Sequence, residues 1–244
     1  MALPRVVLRE EWLTARKDFL VEEKEFTRAR DALSAARRAL PMVAVDKEYD
    51  FDGPPGTLRL LDLFEGRHQL VVYHFMFDPD WNEGCPMCSF LVDNLPNLTH
   101  LREARDTAVV VVSRAPLDKI TAFKQRMGWT LPWYSSYGSD FNYDFHVTLD
   151  EAVAPVEYNY REKATVEQLG QTWDLRGEQP AVSVFLRDGE HVFHTYSTHQ
   201  RGPDLLLGTY NYLDLTPLGR QEDGPGPHEF RHHDSYPTAA RGAK

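Results

Sequence analysis

The chain of 244 residues can bury the core of one enlarged domain, and its 42% apolar and 26% charged residues are ordinary for a globular protein. Its formal charge of −10, from 27 basic and 37 acidic side chains, disfavours nonspecific binding to nucleic acid. The charged N-terminus lacks the apolar core of a signal peptide, and no run approaches the roughly 20 apolar residues of a membrane span. We therefore expect a cytoplasmic protein whose partners include neither nucleic acid nor a membrane.

Residues 9–40 contain neither glycine nor proline and predict one long amphipathic helix that ends before Pro41. Apolar residues recur at every seventh position, and small ones follow three positions later: Trp12, Phe19, Phe26, Leu33 and Leu40, with Ala15, Ala29 and Ala36. This stripe either packs along the main domain or forms the arm of a homodimer. The stripe is thin and contains Glu22, which favours packing onto the domain.

The middle of the chain alternates predicted strands and helices. We expect an extended segment at 43–52, a turn at 53–56, a strand at 70–77, a helix after residue 85 that Pro96 kinks or divides, a strand at 108–112, a helix at 116–127 and a hairpin formed by 181–186 and 191–196. This order is typical of an α/β domain with a parallel core.

The predicted domain organisation has three parts. Residues 1–42 form a helical extension, and residues 43–215 form the main domain with an irregular insertion at about 138–178. Residues 216–244 are rich in proline, glycine and histidine and read as a tail or a surface wrap.

The two cysteines of the chain, Cys85 and Cys88, stand three positions apart directly after the predicted strand at 70–77. Pro86 suits the first helical turn, which places Cys85 at the helix N-cap, where unpaired N–H groups and the helix dipole favour a thiolate. Cys88 follows one turn later on the same face and could resolve a mixed disulfide. The spacing therefore predicts a thiol–disulfide redox site with Cys85 attacking and Cys88 resolving.

Two other interpretations of the cysteine pair remain open. Tetrahedral zinc needs four ligands, so a metal site would have to recruit histidines such as His232 and His233 from far along the chain. Alternatively, the cysteines are buried and inert and pack as small apolar side chains. We expect neither a metal nor another cofactor.

The order of these elements resembles the thioredoxin superfamily. The resemblance implies a central mixed sheet flanked by helices, and it matches Pro180, in Gln179-Pro180-Ala181, to the cis-proline that faces the dithiol in that superfamily. By this resemblance Pro180 would present backbone groups to a substrate bound near Cys85. An ordinary proline that begins a strand is the alternative.

The segment from Tyr49 to Trp81 also resembles peroxiredoxins, which carry Thr or Ser three residues before the peroxide-reducing cysteine, where this chain has Asn82. A longer resemblance is to a bacterial thioredoxin-like family catalogued as domain of unknown function family 899. It is carried by Phe75-Met76-Phe77, Gly84-Cys85-Pro86, Ser113-Arg114-Ala115-Pro116 and the stretch from Ser135 to Tyr143. This resemblance implies a thioredoxin-like fold and a dithiol oxidoreductase, but no particular substrate.

Aromatic residues are concentrated between Trp133 and Phe145, where they either form a lip beside the dithiol or pack onto the sheet edge. The candidate substrate-binding residues are Pro180, Trp81, Pro86 and Tyr137.

Several polar residues are candidate modulators of the thiols. His74 is a possible base, although a hydrogen-bonded core histidine is the simpler interpretation. Arg114 could stabilise a thiolate or form a surface ion pair. Asp140, with Asp144, could influence proton transfer but reads more simply as part of a solvated acidic loop. His228, His232 and His233 read as solvated residues of the tail.

The residues thus favour a thiol–disulfide oxidoreductase whose partner is a protein or small-molecule thiol or disulfide. A peroxide reductase that uses Cys85, and a non-catalytic binding or scaffold protein of the same fold, are the alternatives. A homodimer is possible through the N-terminal helix.

Overall fold

The computed structural model describes residues 3–170, 175–222 and 230–237. Its helices are α1 (Arg9–Arg38), α2 (Pro86–Asp93), α3 (Thr99–Arg105), α4 (Leu117–Arg126), α5 (Phe141–Asp144), α6 (Lys163–Gln168) and α7 (Gly208–Leu213). Its strands are β1 (Val43–Ala44), β2 (Asp50–Gly53), β3 (Gly56–Arg59), β4 (Gln69–His74), β5 (Thr107–Ser113), β6 (Trp133–Ser135), β7 (Thr148–Leu149), β8 (Glu157–Tyr158), β9 (Arg161–Glu162), β10 (Gly177–Glu178), β11 (Ala181–Asp188) and β12 (His191–His199). No helix of the described part of the chain is long and apolar enough to cross a membrane.

The molecule is built on an eight-stranded sheet with the strand order β1-β12-β11-β4-β5-β6-β2-β3. Strands β4, β5 and β6 run parallel, while the hairpin β11–β12 runs antiparallel to β4. Helices α2 and α4, which follow β4 and β5, contribute to the same core on one face of the sheet. A strand–helix–strand–helix unit followed by a hairpin, in the order β12-β11-β4-β5, is the thioredoxin-like fold, so the predicted fold is confirmed.

Side chains of β4 alternate between the two faces of the sheet, as the pleat requires. Tyr73 packs with Phe75 and Cys88 in the core beneath α2 and α4. Val72 packs in the core of the opposite face with Phe141. The strand ends at His74, three residues before the predicted end. Beyond it the chain turns back on itself, and the Cys85 N–H donates to the Met76 carbonyl with an N···O distance of 3.1 Å.

The region predicted as an insertion contains α5, α6 and two small antiparallel pairs, β7 with β10 and β8 with β9. Residues 171–174 of that region lie outside the described residues. Helix α2 ends at Asp93 and α3 begins at Thr99, so the predicted division of the helix at Pro96 is confirmed.

The prediction that the N-terminal helix packs onto the domain is wrong. Helix α1 has no buried residue, and its apolar stripe faces outward. Its contact with the domain includes the Arg37 guanidinium, which lies 4.9 Å from the centre of the Tyr196 ring. The half-buried residues of the helix, which include Arg16 and Arg37, lie beside the stripe, so the stripe itself stays uncovered.

Candidate active site

The cysteine pair lies where strand β4 leads into helix α2. Cys85 occupies the N-cap of α2 and Pro86 its first position, as the sequence predicts. Cys85 is half-buried and Cys88 is buried, and the two thiols are free. The thiol expected to attack is therefore the more accessible one.

The surroundings of Cys85 favour its thiolate. Cys88 donates a hydrogen bond to Cys85 Sγ and lowers the pKa of Cys85 to about 7, from an ordinary value of 9.0. The backbone N–H groups of Met87 and Cys88 act in the same direction, while burial opposes them. These are the groups that a helix N-terminus leaves unpaired. A larger fraction of Cys85 is therefore thiolate at neutral pH than in a free cysteine.

Cys88 lies in a contrasting environment. Burial and the neighbouring Cys85 raise the pKa of Cys88 well above its ordinary value, so it stays protonated and can donate to Cys85. The Met76 N–H points at Cys88 Sγ from 3.4 Å. The Tyr73 hydroxyl also lies beside this sulfur and lowers the pKa of Cys88, although less than burial raises it. Two hydrogen-bond donors thus face the Cys88 sulfur.

We expect the alkylation rate of Cys85 in the reduced protein to follow a titration with a midpoint near pH 7. In Cys88→Ala the midpoint should rise, because the principal hydrogen-bond donor to the thiolate is gone. Iodoacetamide labelling against pH, read as the modified peptide by mass spectrometry, measures both. A wild-type midpoint at or above that of a free cysteine, about 8.5, contradicts the assignment of Cys85 as the attacking thiol.

The segment 230–237 packs against the loop that precedes Cys85, so the prediction of a solvated tail is wrong for His232. The His232 ring is buried, and its Nε2 donates to the Gly84 carbonyl over 2.8 Å. The Phe230 ring stacks on Phe90 of α2 with centroids 3.9 Å apart. His228 lies outside the described residues. The C-terminal segment therefore supports Gly84, the residue directly before Cys85.

Pro180 lies at the sheet end predicted for it, but the predicted cis bond is wrong. Ala181 pairs with His74, which places Pro180 beyond the end of β4 on the side where Cys85 emerges. The Gln179–Pro180 bond is trans. The Gln179 N–H donates to the Val147 carbonyl over 2.8 Å, which continues the pairing of β10 with β7 up to the residue before Pro180. Pro180 therefore lacks the cis bond on which a thioredoxin-type substrate groove depends. It gives no support to an exchange activity.

Arg114 follows β5 at the same sheet end, and its charge is engaged by Glu178. Its Nη1 lies 3.1 Å from Oε1 of Glu178, which is buried and also accepts from the Thr148 hydroxyl. Burial raises the pKa of Glu178 to about 7, although Arg114 and Thr148 lower it. The Arg114 guanidinium also lies 4.9 Å from the centre of the Tyr143 ring. This buried ion pair fixes the loop before Pro180 to the end of β5.

His74 and Asp140 are not placed to act on the thiols. The His74 ring lies on the sheet face opposite Cys88, stacks on Phe141 and bonds to the Ser183 hydroxyl at 2.8 Å. Burial lowers the pKa of His74 to about 3, so it is a neutral core histidine. Asp140 forms an exposed ion pair with Lys47 at 2.8 Å. His74 is therefore a hydrogen-bonded core histidine, and Asp140 belongs to an exposed acidic loop.

Most of the aromatic segment packs onto the sheet. Trp133 is buried beneath the helices, and Phe141 and Phe145 pack on the opposite face, while Tyr137 is exposed after the end of β6. Trp81 is also exposed. The Lys119 ammonium donates a hydrogen bond to the Trp81 backbone carbonyl over 3.1 Å. Because β4, β5 and β6 are parallel, Cys85, Arg114 and Tyr137 follow the same sheet end.

Among the described residues, no group of three or more histidine, cysteine or acidic side chains is arranged to hold a metal ion.

A family model described as "Bacterial protein of unknown function (DUF899)" matches residues 1–236. The chain belongs to this family. No curated protein matches it.

Several solved structures are similar to this DUF899 chain at low identity. A PrxQ variant of Xylella fastidiosa is 14% identical with a TM-score of 0.43, and covers 67% of this chain and 88% of its own. Peroxiredoxin Q of Xanthomonas campestris is 15% identical with a TM-score of 0.41, covering 71% and 97%. Peroxidoxin BcpB of Mycobacterium tuberculosis is 14% identical with a TM-score of 0.39, covering 71% and 97%. The fold assignment itself rests on the strand order of the sheet.

Sequence reasoning missed the structural roles of three residues at this DUF899 site. Tyr73 could have been found, because alternation along β4 puts it on the face that α2 covers. Glu178 stands two residues before Pro180 in a segment without clear periodicity, so only the fold reveals its pairing. His232 reaches Gly84 across 148 positions of the chain, and nothing near either residue signals the contact.

Proposed function

We propose that the protein is a dithiol–disulfide oxidoreductase of a reducing compartment such as the cytoplasm. The observation that carries the proposal is the pairing of an accessible Cys85, whose pKa is lowered to about 7, with a buried and protonated Cys88 one turn along the same helix. An attacking thiol near neutral pKa and a shielded resolving thiol are what thiol–disulfide exchange requires.

The reaction proceeds in two exchanges. The Cys85 thiolate attacks one sulfur of a substrate disulfide, the substrate S–S bond breaks, and one substrate thiolate leaves. Cys88 then gives its proton to the substrate thiolate that has left, with Met76 N–H and the Tyr73 hydroxyl facing the charge that develops on the Cys88 sulfur. It attacks Cys85 Sγ and releases the second substrate thiolate. The substrate gains two electrons and the dithiol becomes a disulfide; the reverse sequence oxidises a substrate dithiol.

Two features favour exchange over peroxide reduction. Asn82 supplies an amide where peroxiredoxins carry a hydroxyl three residues before the cysteine. Arg114 is engaged by the buried Glu178 carboxylate, and the thiolate of Cys85 is stabilised by Cys88 and by backbone N–H groups instead.

A direct comparison of oxidants tests the proposal. Reduced protein is mixed separately with hydrogen peroxide and with a small aromatic disulfide, and free thiols are counted over time. We expect the disulfide to oxidise the Cys85–Cys88 pair much faster than an equal concentration of peroxide. Faster consumption of peroxide supports a peroxidase instead, and thiols that resist both oxidants support a binding or scaffold protein.

A further inference from the structure

Helix α1 exposes an apolar stripe that the rest of the chain leaves uncovered. The side chains at Trp12, Phe19, Phe26, Leu33 and Leu40 are between 48% and 68% exposed. The half-buried residues of the helix, Arg16, Glu23, Ser34 and Arg37, lie on a neighbouring side. A contiguous exposed apolar surface of this kind marks an interaction site.

The stripe has the seven-residue spacing of a coiled coil. Within α1 the large apolar residues Trp12, Phe19, Phe26 and Leu33 occupy the a positions, and Ala15, Glu22, Ala29 and Ala36 occupy the d positions. The repeat is sustained over four heptads, which is long enough to indicate a coiled coil. Alanine at d allows two helices to approach closely and bury the large a residues between them.

We propose that α1 binds α1 of a second copy of this chain as a parallel, in-register two-stranded coiled coil. The chain then forms a homodimer whose redox domains are joined by their N-terminal helices.

The charges beside the stripe select a parallel orientation. Acidic residues occupy the g positions Glu11, Asp18 and Glu25, while the e positions are mostly basic: Arg16, Arg30 and Arg37, with Glu23 as the exception. In a parallel pair each g residue faces the e residue five positions later on the partner helix. Glu25 then faces Arg30, whereas an antiparallel pair opposes acidic g residues to one another. The helix carries acidic and basic side chains in nearly equal number, so it lacks the excess basic charge of a helix that binds anionic lipid.

Glu22 interrupts the apolar seam at one layer. In the parallel dimer it faces Glu22 of the second copy, which costs affinity but disfavours shifted registers. We expect Glu22→Leu to tighten the dimer about tenfold or more.

The oligomeric state of the full chain with Cys85→Ser and Cys88→Ser, which removes redox crosslinks, tests the proposal. Sedimentation equilibrium should give a dimer, and Phe26→Ser should weaken it roughly a hundredfold, because two buried phenylalanines are lost. Since Phe26 is exposed in the single chain, circular dichroism should show an unchanged fold. Lys24→Glu, on the outer face of the helix, is the matched control and should leave the dimer unchanged.

Charge exchange tests the orientation. Glu25→Lys and Arg30→Glu should each weaken the dimer about tenfold, and the double variant should restore it, because the pair meets only between copies. Residues five apart on one helix do not face each other, so restoration within a single chain is excluded.

Disulfide crosslinking in the same cysteine-free background gives an independent readout. In a parallel dimer Ala15→Cys and Ala36→Cys should each crosslink to themselves. An antiparallel pair crosslinks only when the two variants are mixed. A chain that sediments as a monomer at high micromolar concentration, or crosslinks only in the mixture, overturns the proposal.

Discussion

Cys88→Ser should accumulate mixed disulfides between Cys85 and its substrates. Cys85 keeps its helix N-terminus and still attacks, but no thiol remains to displace the substrate from the Cys85 sulfur. We expect turnover to fall by at least roughly a thousandfold, since the second half of the cycle is blocked. Affinity-purified variant, separated on non-reducing and then reducing gels, should release bound partners on reduction.

Cys85→Ser is the matched control. It removes the accessible thiol and leaves Cys88 buried, so it should lose activity to a similar extent without trapping any partner. Equal trapping by the two variants, or trapping by Cys85→Ser alone, would show that the roles of the two thiols are assigned wrongly.

Gly84→Ala should destabilise the protein and disturb Cys85. A methyl group at Gly84 would lie 2.5 Å from an edge carbon of Phe75 and 2.9 Å from one of Phe123, both of which are buried in the core. The loop must therefore move. We expect unfolding free energy to fall by about 1–3 kcal/mol. The shift also moves Cys85 relative to the backbone N–H groups of Met87 and Cys88, which lower its pKa, so the alkylation midpoint of Cys85 should rise.

Gly208→Ala provides the comparison for this variant. Its methyl group would lie 3.5 Å from Asn94 Oδ1, an ordinary contact, at the first residue of α7. We expect a change within about 0.5 kcal/mol by urea denaturation. If the two alanine variants prove equally stable, the loop before Cys85 does not need the close approach that we infer.

The sequence contains strong local signals for the redox helix and the core strands. Pro86 after a buried strand predicts the N-cap position of Cys85, and Pro96 predicts the end of the helix. Both depend on backbone geometry within a few residues, which is why they could be read without a structure.

The errors concern the isomer of one bond and contacts between distant segments. A cis bond at Pro180 is expected only from the resemblance to thioredoxins; the bond is trans, as most bonds before proline are. The burial of His232 depends on a segment returning across α2. For α1, the periodicity predicted the helix but could not show which surface, if any, covers its stripe.

Redox titration of the Cys85–Cys88 pair tests the central claim most directly. The protein is equilibrated in glutathione mixtures of graded potential, and its free thiols are trapped and counted by mass. We predict one two-electron transition to an intramolecular disulfide, with a midpoint between about −270 and about −120 mV, the range of dithiol oxidoreductases. Two thiols that stay free in the most oxidising mixture would contradict the claim that this pair catalyses thiol–disulfide exchange.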